Sequence, residues 1–146
     1  LEGIASRLAI SAEAAKAVFR GQAPKLKELA GTDLGKIRSS SLAKSIEMGD
    51  KVIEVIVRLA AEEVGRGIGS LINILAPDIV VLGGGLVEAM PKLYLESVKE
   101  GVRRNVLPSL ADCAKLKVSE LGDYAGATGA AAWVRQETAS SEVRKV

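Results

Sequence analysis

The chain has 146 residues, 48% of them apolar and 26% charged, so one domain with a core of its own is expected, without disulfides or metals. Its 20 basic and 18 acidic residues leave a net charge of +2, and aromatics are 3%; this excludes an electrostatic footprint for nucleic acid and a stacking platform for bases. The absence of histidine excludes His-based catalysis and, with Cys113 the one thiol, argues against a protein-only zinc site.

Residues 2–20 are rich in Ala, with Ile4, Leu8, Ile10, Ala14 and Val18 at helical spacing. Ser11 precedes a second run, SAEAA, and predicts a break there. Gly21 and Pro24 end the helix, and residues 21–37 read as a loop carrying a short helix around Lys25–Leu29. A further short helix over 38–48 is expected to end on Gly49. Asp50 is then expected to cap the longest helix, whose apolar stripe is Val52, Ile56, Ala60, Val64, Ile68, Ile72 and Leu75. Glu54–Arg58 and Glu62–Arg66 place an acid four residues before a base on its outer side. Gly65, Gly67 and Gly69 each weaken that helix by about 1 kcal/mol relative to Ala, so close packing on another backbone is expected to offset them.

Pro77 stops the helix, and Ile79–Leu82 is an unbroken apolar run, the pattern of a strand buried on both faces of a parallel sheet. After Gly83, Gly84 and Gly85 comes an amphipathic helix predicted over Val87–Arg104, closed by Pro108. Leu116–Leu121 alternates with period two and predicts a second strand. Gly122-Asp123 turns the chain into an Ala/Gly helix over Ala125–Val134, and 138–146 read as a polar tail. The order helix, strand, helix, strand, helix makes the fold α/β with crossover connections.

In open α/β sheets ligands bind beyond the carboxyl ends of the strands. The triple glycine lies at such an end: without Cβ atoms its backbone can approach a ligand closely, and the following helix start would add free N–H groups and partial positive charge. A nucleotide suits that chemistry. The dinucleotide fingerprint is not met, because Glu88 stands where its third glycine belongs, and the G-x-x-x-x-G-K-[ST] loop is absent. Gly126 and Gly129 in LGDYAGATGAA either let a helix pack hard on the sheet or, with Asp123, shape the same cleft. Cys113 beside Asp112 reads as a spectator thiol in a reducing, cytoplasmic compartment. No apolar run reaches the roughly 18–20 residues of a membrane helix, and no signal-peptide pattern opens the chain. The start at Leu1 rather than Met is what an excised piece of a longer protein would show.

LEGIAS at the start, Gly49-Asp50, GRGIGSLINILAPDIVVLGGGL and LGDYAGATGAA occur in the order seen in the ROK family, which the chain resembles over about residues 1–137. That family holds sugar kinases and sugar-responsive repressors. The resemblance implies part of an actin-like ATPase (ribonuclease H-like) fold, with residues 1–137 as its C-terminal lobe. It implies that Gly83, Gly84 and Gly85 form the adenosine-side turn of an ATP site. Leu1-Glu2 looks like the end of the family's Cys-x-Glu motif, which makes Glu2 a candidate sugar contact. The implied partners are a hexose and ATP with Mg, and the implied oligomer is a homo-oligomer. The zinc cysteines, the phosphate loop and the aspartate base of the family are not found in this chain, which is therefore expected to hold no catalytic or metal-binding residue and to be inactive as given. Beside the kinase stands a repressor of the same family, and beside both a plain interaction domain.

Overall fold

A computed structural model describes residues 1–143. The N-terminal helical region divides at Ser6 into α1 (Glu2–Ala5) and α2 (Arg7–Phe19). Ser6 is extended and its Oγ accepts from the Ala9 amide at 3.2 Å, a normal N-cap. The break expected at Ser11 is not there. Ser11 is fully buried inside α2 and donates to the Ile37 carbonyl at 2.8 Å, so a hydroxyl that could have capped a helix instead ties down a distant loop.

Next come α3 (Pro24–Ala30) and α4 (Ser39–Glu47). Gly49, at φ 105°, closes α4 as expected: its N–H donates to Ile46 and that of Asp50 to Ser45, the two bonds of a Schellman end. Asp50 does not cap the helix that follows it. Its buried carboxylate accepts from the Leu26 amide at 2.7 Å and the Lys25 amide at 3.2 Å, capping α3 across the fold. Pro24 occupies the first position of α3 and has no N–H, so these are the two amides in need of a partner.

The long helix α5 (Lys51–Leu75) carries the core. Its buried line is Ile53, Val57, Ala60, Ala61, Gly65, Ile68, Gly69 and Ile72, which shares only Ala60, Ile68 and Ile72 with the stripe expected from sequence. Against it lies α7 (Pro91–Asn105), the most extensively packed pair in the molecule. The two cross glycine on glycine. A Cβ on Gly65 would overlap the Val98 carbonyl and come within 2.9 Å of the Gly101 Cα; a Cβ on Gly101 would overlap the Glu62 carbonyl. The expected backbone packing is thus found at Gly65, and Gly69 faces Asn105 at 3.1 Å. Gly67 meets only the Leu1 side chain, at 3.5 Å, and has no such reason. Side chains seal the crossing: Asn105 donates to the Arg66 carbonyl, Asn73 to the Asn105 carbonyl, and Arg104 pairs with Glu62 at 3.0 Å.

After Pro77, β1 (Ile79–Leu82) pairs in parallel with β2 (Lys115–Val118), Ile79 opposite Lys115 and Leu82 opposite Val118. The connection carries α6 (Gly85–Ala89) and α7. One continuous helix was expected here; Pro91 starts α7 afresh after Met90, which leaves the helical region (φ −142°, ψ 56°). The strand is not buried on both faces. Leu82 is buried, whereas Ile79 and Val81 are 52% and 62% exposed, because α7 packs on one side of a two-stranded sheet and nothing described covers the other. A turn over 122–124 leads to α8 (Ala125–Val143), whose side chains described as far as Thr138 are all exposed. The Ala/Gly helix therefore does not pack hard on the sheet here. The polar tail expected from 138 begins as helix to Val143, and 144–146 lie outside the described residues. The architecture is mostly helical with a small parallel sheet.

Candidate functional site

The glycine turn is set by both strands. The Ser119 amide donates to the Leu82 carbonyl at 2.7 Å, fixing where β1 ends, and a Cβ on Gly83 would stand 3.5 Å from that of Ser119. Gly84, at φ 101° and ψ 164°, occupies a region essentially closed to other residues. Gly85 then opens α6, held from below by buried Val87 and Met90. That helix is five residues long, too short to supply the field expected of a helix start.

Across from the turn stands the first turn of α4. A Cβ on Gly85 would lie 3.4 Å from Ser39 Oγ, so glycine lets the two walls approach. The loop before α4 is shaped by Asp33, whose carboxylate accepts from Gly35 at 2.9 Å and whose carbonyl accepts from Lys36 and Ile37. Fully buried Ile37 anchors it. Arg38 precedes α4; its amide donates to Ser41 Oγ at 2.8 Å and its Nε to the Gly35 carbonyl at 3.3 Å. The start of α2 closes the end with Arg7 and Leu8. Together these surfaces enclose an open cleft of about 850 Å³, the size range of small-molecule sites, with Gly85, Glu88 and Ala89 on one wall and Arg38, Ser39 and Ser40 on the other.

Of the residues expected in the site, Gly83, Gly84 and Gly85 form one continuous turn, and Gly85 borders the cleft. Glu2 is not brought to it. Glu2 is the exposed first residue of α1, which packs on α5. Gly126 has open space around it, and the Asp123 side chain lies outside the described set. Sequence reasoning missed the opposite wall. The triple serine at 39–41 before an apolar run signals a helix start, but nothing in the sequence says that it faces residue 85. Among the described residues no group of three His, Cys, Asp or Glu could hold a metal, and no helix is long and apolar enough to cross a membrane.

Displaced proton affinities lie on the helical body. Hydrogen bonds from Lys51 and then Arg58 hold Glu54 below the ordinary glutamate range, and the one from Arg103 does the same to Glu100. Burial pushes the Tyr94 hydroxyl up.

Comparison with known proteins adds identity to this geometry. A glucokinase of Halalkalibacterium halodurans is 30% identical over 108 residues, covering 74% of this chain and 32% of its own length. A xylose repressor of Caldicellulosiruptor bescii is 26% identical over 134 residues, 92% of this chain and 33% of its own. The crystal structure of a ROK family glucokinase from Streptomyces griseus, in complex with glucose and AMPPNP, superposes with a TM-score of 0.78 at 25% identity, covering 92% of this chain and 44% of that one. The chain thus spans about a third of the curated relatives it matches, and its fold is that of part of an actin-like ATPase. The ROK family model matches residues 1–137, and the chain belongs to the ROK family.

Proposed function

We propose that this chain is the nucleotide-side, C-terminal part (residues 1–137) of a cytoplasmic sugar kinase that transfers the γ-phosphate of ATP to a hexose such as glucose. The observation that carries the reading is the strand-end glycine turn facing the first turn of α4 across the cleft. The cleft fits the nucleoside end of ATP: it has apolar surface at Leu8 and Leu34, hydroxyls at Ser39 and Ser40, and a wall that Gly85 keeps free of a side chain. ATP supplies the phosphoryl group; these residues bind and orient its far end. Glu2, which does not line this cleft, is assigned to the sugar. Magnesium would accompany ATP, and a structural zinc would belong to residues outside this chain. No described cluster fits either metal, so no step is routed through one. In-line transfer needs a base, a metal and the phosphates positioned together. The chain by itself is therefore expected not to phosphorylate glucose.

Titration calorimetry of the 146-residue chain with ATP tests this reading. Gly84→Val forces a branched side chain into a glycine-only conformation, a strain of roughly 1–3 kcal/mol, and should weaken ATP binding about tenfold or more. Wild-type chain that binds no ATP, or a folded Gly84→Val chain that binds it equally well, would sink the proposal. The match to a xylose repressor over 92% of this chain favours a second reading, a sugar-sensing regulator. A longer protein containing this chain separates the two: sugar-dependent ATP consumption supports the kinase, sugar-dependent release of DNA the repressor.

A further inference from the structure

Arginines on the helical body are mostly paired. Arg58 bonds Glu54 at 3.0 Å, Arg66 bonds Glu63 at 3.0 Å, and Arg103 and Arg104 bond Glu100 at 2.8 and 2.7 Å. Arg7 and Arg38 are different. Neither forms an ion pair among the described residues, and both line the same cleft as Gly85. Arg38 donates its Nε to the Gly35 carbonyl at 3.3 Å, and its terminal nitrogens form no hydrogen bond or ion pair among the described residues. Glu88 also borders the cleft but reaches neither arginine within ion-pair distance.

A guanidinium stays charged at any ordinary pH, and its planar fork pairs two N–H groups with two oxygens of a phosphate. Two such groups, contributed by elements about thirty residues apart in sequence, converge on one concave surface. That surface also has exposed apolar side chains, Leu8 and Leu34, on the same lining. A ligand that satisfies both features has an anionic end and an apolar end. Arg20 is unpaired as well, but it lines a neighbouring groove with Phe19 and Thr32 that shares only Leu34 with the cleft, and it serves as a control.

We infer that Arg7 and Arg38 are binding residues for the phosphates of the nucleotide in this cleft, and that they set its preference for nucleotides over the bare nucleoside. The inference rests on the nucleotide reading above and names the groups that act in it. Arg7, Arg38 and Gly85 all belong to this chain, so their contribution can be tested on it.

Calorimetric titrations with ATP and with adenosine would be run on the wild-type chain, Arg7→Met, Arg38→Met, the double variant, Arg20→Met and Gly84→Val, each first checked for an unchanged thermal melt. Each cleft arginine should be worth about threefold to tenfold in ATP affinity, the range for partly exposed charge-assisted bonds, and adenosine binding should stay within about twofold. Added salt should weaken ATP binding to wild type more than to the double variant. Arg20→Met should match wild type. Unchanged ATP affinity in the double variant, or equal loss for ATP and adenosine, overturns the inference. If ATP still binds wild type and Gly84→Val still weakens it, the nucleotide reading survives that failure. A wild-type chain that binds neither ligand removes both.

Discussion

At the crossing of α5 and α7, one methyl group separates two opposite outcomes within a single turn of helix. Gly65 and Gly67 are both interior helix positions, and at either one alanine removes a backbone-entropy penalty of about 1 kcal/mol. At Gly67 the added Cβ meets the flexible Leu1 side chain at 3.5 Å, an ordinary contact, so the helical gain survives. At Gly65 it would overlap the Val98 carbonyl and crowd the Gly101 backbone, neither of which can move without separating the helices. Overpacking of this kind destabilises by about 1–3 kcal/mol and occasionally more. Gly67→Ala should therefore raise the urea midpoint and Gly65→Ala lower it, at an unchanged m-value. Shifts of the same sign would mean that the crossing is not as tight as the geometry states.

The elements were legible to unequal degrees, and α5 shows why. Its extent, bounded by Asp50 and Pro77, could be read directly, but the face it buries could not. A stripe counted in fours advances about 40° around the helix with every step, so it drifts off the seam. The real seam alternates threes and fours and passes through Gly65 and Gly69, which look like defects until the glycine at 101 is seen opposite. Asp50 was legible as a cap; that it caps α3 from a distance was not, because the lost amides lie 24 and 25 residues away. The exposed face of α5 carries its own test. Glu54 bonds Lys51 and Arg58, and Arg58 reaches Ser97 on α7. The two cations lower the folded-state pKa of Glu54 below its unfolded value. Between those two values the unfolded chain binds the extra proton, so stability rises with pH. The contribution is fully present above the ordinary glutamate pKa and is lost as pH falls through the depressed one. Glu54→Gln should flatten the acid limb of the stability–pH profile while leaving stability at pH values below both pKa values close to wild type. Screening by solvent keeps the effect small, within the range of exposed pairs. An acid limb identical in both chains would show that the Lys51–Glu54–Arg58 cluster contributes nothing.

For the whole molecule, one wall of the cleft could be read and the other could not. PDIVVLGGGL states a strand and a turn in ten consecutive residues. The facing wall is assembled from the starts of α2 and α4, which only the packing of the helical body brings to residue 85. Periodicity reports which face of an element is buried, not which other element it meets. The same limit explains β1 and α8, whose apolar residues the sequence assigns to a core that the described residues do not provide. Trp133, the single tryptophan, is 71% exposed, and Tyr124 and Val134 are exposed with it. The described side chains of this 19-residue helix, to Thr138, are all exposed, and an isolated helix is marginal in water, so α8 draws little stability from the body and returns little. A chain ending at Tyr124 should therefore unfold at the same urea midpoint as the full chain, with proportionally less helical signal by circular dichroism. In the full chain the emission of Trp133 should already be that of an indole in water, open to iodide quenching, and should change little as the body unfolds. A cooperative shift of that emission with urea, or an unfolding free energy lowered by more than about 1 kcal/mol on truncation, would show that α8 docks on the body after all.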